Sequence, residues 1–288
     1  MSAYKIITDC CCDLTKDHYA QLNVTYAPLT LLYKGESYDS FTEEAELHDF
    51  YNGIRAGEMP TTSAANPDGW ARLMKPVLEE GMDVLCLTFT SALSTTYQSA
   101  VIAAEELKEQ YPDRKIIVID SLCAALGQGL LLMHACKRRD QGMSLEELAA
   151  WIEENKHHVA HWVTVDDLNH LKRGGRISAT TAFVGGMLNI KPIIHLDAEG
   201  RLQTVGKARG RKAAMEQILK KVQEGEGWDN ETIAIGHGDC REDAETLAAM
   251  IREKCPWVKN IHIGYVGGVI GAHTGPGVLV AFFLAQEK

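Results

Sequence analysis

The sequence predicts an α/β protein of two domains, the first a mostly parallel sheet with helices on both faces and the second a mixed-sheet α+β domain. Three observations carry this reading. Short apolar runs alternate with helix-patterned segments from the N-terminus to about residue 157. After His157 a hairpin, a basic glycine turn and a glycine-dense stretch break that alternation. A length of 288 residues also exceeds the commonest single-domain size. The expected domains are residues 1–157 and 158–288, with a ligand between them. A hydrophobic content of 45% and a charged content of 24% describe a globular chain with enough apolar residues for two cores. The formal net charge of -10 supplies no general basic field, which argues against nucleic acid and against adsorption to anionic lipid. No apolar run is long enough to span a bilayer, and the first one meets Asp9 at once, so a cytoplasmic protein without stable membrane insertion is expected. The eight cysteines include no CxxC pair, so neither a zinc site nor a disulfide framework is signalled.

Residues 5–8 form a short β-type run, followed by the polar turn Asp9-Cys10-Cys11-Cys12-Asp13. An acid at the end of a first strand borders the ligand crevice of an open α/β sheet and can orient neighbouring groups there. Asp9 and Asp13 read equally well as caps of a helix over 14–22. The three cysteines read as a redox device or as small buried thiols. Residues 24–33 are strand-like, Gly35 makes a turn, and Thr42 opens a helix in which Leu47, Phe50, Tyr51 and Ile54 share a face. That helix leads to a loop of small and hydroxyl residues, Thr61-Thr62-Ser63-Ala64-Ala65, before Asn66-Pro67. Asn is a good cap and Pro suits the first helical position, so a helix begins at this point. Residues 84–89 are nearly all apolar, as expected of a central strand covered on both faces. A second hydroxyl-rich stretch, Thr90 to Thr96, leaves its end. Hydroxyls and free amides at a helix start can hold an anion, and each stretch alone can equally be an ordinary cap.

A helix over 96–111, a strand over 115–119 and a helix over 124–139 continue the alternation. Ser144-Leu145-Glu146-Glu147 is a capping box that opens another helix. No glycine-rich dinucleotide fingerprint or P-loop follows any of these strands. In the second part, residues 162–165 read as a strand and 168–171 as a helical turn. The basic turn Lys172-Arg173-Gly174-Gly175-Arg176-Ile177-Ser178 comes next. Residues 190–196 and 202–206 flank Asp197-Ala198-Glu199-Gly200 as a hairpin. Arg209, Arg211 and Lys212 crowd positive charge before a helix, as a docking surface for an acidic partner or as a solvated helix start. Strands over 232–235, 258–263 and 278–284 and a helix over 242–254 complete the second domain. His157, His158 and His161 could share a helical face as metal ligands, but no further ligand is placed beside them. Residues 264–277, the most glycine-dense stretch, read as a loop that lets backbone approach a ligand closely and presents His273.

Five segments in register along the whole chain carry a resemblance: Thr8-Asp9-Cys10-Cys11-Cys12-Asp13-Leu14, Thr62-Ser63, Leu93-Ser94-Thr95-Thr96-Tyr97, Gly174-Gly175-Arg176-Ile177-Ser178 and His273-Thr274-Gly275-Pro276-Gly277. Together they resemble the DegV family of fatty-acid-binding proteins. The chain departs from the family pattern at Cys10-Cys11, where Ser-Thr is usual, at Ala64-Ala65-Asn66, where Gln-Pro-Ser is common, and at Thr95, where glycine is usual. The resemblance implies a long-chain fatty acid such as palmitate buried between two α/β domains, and no cofactor. It implies a carboxylate held by Thr62 and Ser94, with His273 close by; Ser63 is a further candidate ligand, and Asp9, Thr95, Arg176 and Gly275 are candidates for support. It further implies that the protein is the acyl-carrying partner of a separate ATP-binding subunit that phosphorylates the carboxylate.

Physical chemistry gives this reading a scale. At about 0.8 kcal/mol per buried methylene, a chain of about 16 carbons supplies on the order of 10 kcal/mol before ordering costs. The carboxylate must still leave water, so donors are required at one end of the tunnel. Two rivals remain at this stage. One is a serine-dependent hydrolase using Ser94 or Ser63 with His273 and Asp9, although no Gly-x-Ser-x-Gly elbow is present. The other is a binding module for another small anion, which would keep the loops and lack the apolar tunnel.

Overall fold

The computed structural model describes residues 4–41, 43–178 and 189–288. Strand β1 (Tyr4–Asp9) runs through a 3-10 turn (Cys10–Cys12) to helix α1 (Lys16–Gln21). Strands β2 (Thr25–Ala27), β3 (Thr30–Tyr33) and β4 (Glu36–Asp39), helix α2 (Glu44–Arg55) and strand β5 (Thr61–Ser63) follow. Then come α3 (Pro67–Glu79), β6 (Asp83–Thr88), α4 (Thr96–Gln110), β7 (Ile116–Asp120), α5 (Leu126–Asp140) and α6 (Leu145–Asn155). A second 3-10 turn (Lys156–His158) leads to β8 (Val159–Thr164), α7 (Asn169–Arg173), β9 (Ile190–Leu196), β10 (Leu202–Arg209) and α8 (Arg211–Gln223). The chain closes with β11 (Thr232–His237), α9 (Arg241–Lys254), β12 (Asn260–Tyr265), α10 (Gly268–Thr274) and β13 (Leu279–Leu284). No helix among the described residues is long and apolar enough to cross a membrane.

These elements make a two-domain α/β fold. The N-terminal sheet is parallel, in the order β2-β1-β6-β7, and the C-terminal sheet is mixed, β10-β9-β8-β13-β11-β12. Local chemistry accounts for the element ends that the sequence marked. Asn66 accepts the Gly69 N–H at 2.8 Å with Pro67 next to it, so α3 starts there. Ser144 and Glu147 close a capping box on α6. All six residues of β6 are buried, as a strand covered on both faces requires. The residue 157 boundary falls in the second 3-10 turn.

Each sheet has a core on its outer face, and the two share a third between them. Helix α5 buries Leu126, Leu130, Leu131, Leu132, Ala135 and Cys136, and these pack in one cluster with Ile6, Leu85 and Leu87 of the first sheet and Val159, Val163 and Phe282 of the second. A helix apolar on nearly every side has to be covered on nearly every side. One helix from the first half of the chain is therefore the shared filling.

Four local expectations are corrected. The single strand over 24–33 is divided at Pro28, which has no N–H for a ladder; β2 joins the parallel sheet, and β3 pairs antiparallel with β4 and β5 in a third, small sheet. The Thr62 segment is not a loop: it is strand β5, with Thr62 opposite Leu31. The glycine-dense stretch is not a loop throughout, because residues 268–274 form α10, whose Gly271 lies against the rings of Tyr51 and Phe50 too closely for any side chain. Asp9 and Asp13 do not cap α1; Thr15 does, and Asp9 caps the first 3-10 turn. Thr42, read as a helix opener, lies outside the described residues. The metal reading of His157, His158 and His161 also fails, since they sit on a 3-10 turn and a strand rather than one helical face. His161 uses both nitrogens on backbone, Nε2 accepting the Ala124 N–H at 3.0 Å and Nδ1 donating to the Val159 carbonyl at 2.8 Å.

A truncation in the shared helix should weaken both domains at once. Leu131→Ala is expected to lower stability by about 3 kcal/mol while urea unfolding stays a single transition. Two separated transitions in the variant would show that the sheets unfold independently.

Candidate functional site

A cavity of about 480 Å³ lies between the two large sheets, within the usual range for small-molecule sites. Leu29, Phe89 and Leu93 wall it from the N-terminal domain, and Val163, Val280 and Phe282 from the C-terminal one. His161 also lines it, but its nitrogens are occupied by backbone. Such walls suit an apolar ligand.

Several polar lining residues come from segments that meet around His273 and Leu93. Thr62 Oγ1 and His273 Nε2 are 2.7 Å apart, which joins the small sheet to α10. The ring of His273 rests on Gly174, where a Cβ would come within 2.3 Å of Nδ1, so only glycine allows that approach. Arg176, two residues on, donates from Nε to the Leu93 carbonyl at 3.2 Å and from its terminal nitrogen to the Gly174 carbonyl. Next to Leu93, Ser94 Oγ accepts the Thr96 N–H at 3.2 Å and lies 2.8 Å from Thr96 Oγ1, at the start of the 15-residue α4. Thr62, Ser63, Ser94, Thr95, Arg176 and His273 all line the cavity. Burial, reinforced by the Arg176 and Arg173 charges, lowers the His273 pKa to about 4. The imidazole is neutral near pH 7, and in the tautomer protonated at Nε2 it donates to Thr62. The Thr62 hydroxyl proton is then free to point at a ligand.

The comparisons with known proteins bear on which ligand. The family model described as an uncharacterised protein of the DegV family matches residues 3–286. A DegV domain-containing protein of Clostridium perfringens is 44% identical over all of this chain and 99% of its own length. The chain belongs to the DegV family. Among solved structures, a DegV family protein from Thermus thermophilus, described for its fatty acid binding, matches with a TM-score of 0.88 at 33% identity over 99% of this chain and 100% of that one. A stearic acid-binding protein from Eubacterium ventriosum matches with a TM-score of 0.86 at 27% identity over 98% of each chain.

The DegV-like segments divide into those that line the cavity and those that hold the lining in place. Asp9 does not reach the cavity. It is fully buried, and its oxygens accept the N–H groups of Cys11 at 3.0 Å and Phe89 at 2.7 Å, with the Gln128 amide at 3.4 Å. Asp9 thus ties the end of β1 to the segment that leads to Ser94. Burial raises its pKa to about 6, against the pull of those donors. The hydrolase triad is accordingly not assembled: Asp9 is spent on backbone, His273 meets Thr62, and Ser94 meets Thr96. Gly275 ends α10 at φ +73, where a Cβ would press on the His170 ring. The three cysteines are buried, and burial raises the Cys11 and Cys12 thiols well above their ordinary range, which favours packing over redox chemistry. Arg209 and Lys212 are exposed and away from the cavity, whereas Arg211 is held by Asp243 at 2.7 Å and by Cys240 Sγ at 3.3 Å.

Sequence reasoning missed the apolar walls and Gln128. No local signal marks residues from distant segments that meet only in the fold. Gln128 sits in an ordinary helical pattern, yet it also donates to Thr8 Oγ1 at 3.1 Å.

Two outcomes are expected. The His273 imidazole should titrate near pH 4 by NMR in the ligand-free protein. Because the unfolded chain takes up that proton from about pH 6.5 and the native state only near 4, this group lowers stability as pH falls between them. Buried His161 and His237 act in the same direction, while Asp9, with its raised pKa, acts oppositely between about 6 and 3.8. A His273 titration at an ordinary 6.5 would contradict the burial argument. Gly174→Ala, a folded variant with a displaced His273 ring, should shift that titration upward.

Proposed function

We propose that this protein binds a long-chain fatty acid, with the acyl chain in the cavity between the sheets and the carboxylate held by Thr62 and Ser94, with His273 behind Thr62. The observation that carries the reading is an apolar cavity of about 480 Å³ whose lining includes Thr62 hydrogen-bonded to His273, with Ser94 and Arg176 also on it. The described fatty acid binding of the Thermus and Eubacterium relatives supports it. A carboxylate leaving water needs several donors, and hydroxyls placed against a neutral imidazole and a helix start supply them without a buried counter-ion. Arg176 adds positive potential while its Nε and one terminal nitrogen donate to the Leu93 and Gly174 carbonyls. A small-anion module is the weaker reading, since the walls on both sides are hydrocarbon.

In this proposal the chain carries the acyl group for a separate ATP-binding kinase subunit that phosphorylates the carboxylate. Ser63 and Thr95 are exposed where they line the cavity, which leaves the carboxylate end open to a partner. Arg209 and Lys212 are then candidates for the docking surface. Arg211 is already committed within its own domain.

Hydrogen bonds to a charged group contribute about 1.5–3 kcal/mol, so Thr62→Ala and Ser94→Ala should each weaken stearate binding by about 10- to 100-fold in calorimetric titration. Thermal stability should change little. Unaltered affinity in both variants would reject the carboxylate seat. With a partner kinase subunit supplied, His273→Ala should reduce acyl-phosphate formation more than it reduces binding; equal retention of both would remove His273 from the transfer step.

A further inference from the structure

Helix α10 brings His273 to Thr62, and the start of that helix is held by groups from the first half of the chain. Its N-cap is Gly267, which has no side chain to offer the first helical amides. Acceptors come from elsewhere. Asp13 Oδ1 stands against the Gly267 backbone, where an added Cβ would meet it at 2.6 Å, and the Gly267 N–H favours its charged form as a donor would; the Gly268 N–H donates to the Phe41 carbonyl at 3.0 Å. One step earlier, the Tyr51 hydroxyl donates to the Val266 carbonyl at 2.7 Å. Asp13 stands in the left-handed region at φ 53, its own N–H closing on the Cys10 carbonyl. That turn aims the carboxylate across the domain interface.

The placement is costly, which suggests a purpose. Asp13 Oδ2 is buried and has no hydrogen-bond partner. Burial raises the Asp13 pKa well above the carboxylate range, opposed by the Gly267 N–H and assisted by Asp9. The groups around it supply no counter-ion that would favour its charged form. His18 on α1, Glu44 on α2, His237 on β11, Arg241 on α9, and His262 and Tyr265 on β12 share a small cavity of about 110 Å³ with it. Burial lowers the pKa of His237 and His262, and Arg241 is paired with Glu44 and Glu245. An acceptor retained without a counter-ion is explained by the amide it caps.

We propose that Asp13 is a positioning residue for the carboxylate seat: it lends α10 an N-terminal cap from the other domain and so sets the reach of His273 to Thr62. The role is that of the glutamate in a capping box, which accepts the N-cap amide, with the acid supplied from a distant segment. It rests on the fatty acid reading above.

Gly267 provides the test. Its backbone, φ -65 and ψ 167, is the conformation of a serine cap. In the native protein a Cβ there would meet Asp13 Oδ1 at 2.6 Å, but Asp13→Ala removes that carboxyl, and the Phe41 carbonyl oxygen stands 3.5 Å away. Asp13→Ala is expected to weaken stearate binding about fivefold and to move the His273 titration upward. Asp13→Asn, whose Oδ1 still accepts the amide, should keep most of both, and Asp13→Ala with Gly267→Ser should recover part of them, because a serine there caps the following helical amides rather than the residue 267 N–H. Should Asp13→Ala not fold, Asp13→Asn decides: it must keep the native affinity and the native His273 titration, and loss of either overturns the proposal. Native affinity and titration in folded Asp13→Ala, or equal losses with and without the serine cap, would overturn the proposal. If the native protein binds no stearate, the fatty acid reading fails by itself, and the ligand-free His273 titration across the same variants still decides the cap.

Discussion

The hydrogen bond between Thr62 and His273 is where the two domains close on the cavity, and much of the local structure serves it. Thr62 is presented by β5, an edge of the small sheet, in register with Leu31. His273 is presented by the last turn of α10, packed against Gly174. Arg176 then links Gly174 to the Leu93–Ser94 segment. A chain of contacts between four distant segments thus converges on one small polar patch. Its imidazole is neutral because it is buried beside two arginines. A neutral donor can approach an anion without itself demanding a counter-ion.

The rest of the cavity is governed by a different force. Hydrocarbon walls contribute affinity in proportion to the apolar area they cover, about 0.8 kcal/mol for each methylene, whereas the polar patch sets orientation and prevents a penalty. The two contributions are built from different parts of the fold. Walls come from both sheets, which the shared helix α5 holds at a fixed separation, and donors come from turns and helix ends. Under the proposed function, substitutions in the walls alter which acyl chains fit, and substitutions in the patch alter whether a carboxylate is held.

Much of the architecture was legible in the sequence where the signal is local. Asn66-Pro67 and Ser144-Glu147 mark helix starts by chemistry that acts within four residues, and the apolar run of β6 reports burial on both faces. The candidate seat was legible only through five short segments taken together, since a single Thr-Ser or Gly-Gly has no unique meaning. What was illegible depends on contacts between distant segments. Nothing near Pro28 announces that β2 and β3 join different sheets, and the glycines of α10 weaken a helical pattern that Tyr51 and Phe50 then require. Asp9 reads as a ligand-facing acid and is instead consumed by Cys11, Phe89 and Gln128. Arg211 reads as a free charge and is paired with Asp243.

The most direct measurement is native mass spectrometry of the protein purified from a bacterial host, before and after addition of stearate. One adduct per chain with the mass of a long-chain fatty acid, retained under native conditions and lost on denaturation, is the expected result. A mass that stays at that of the bare chain with stearate in excess would contradict the account, leaving a DegV fold whose cavity serves some other ligand.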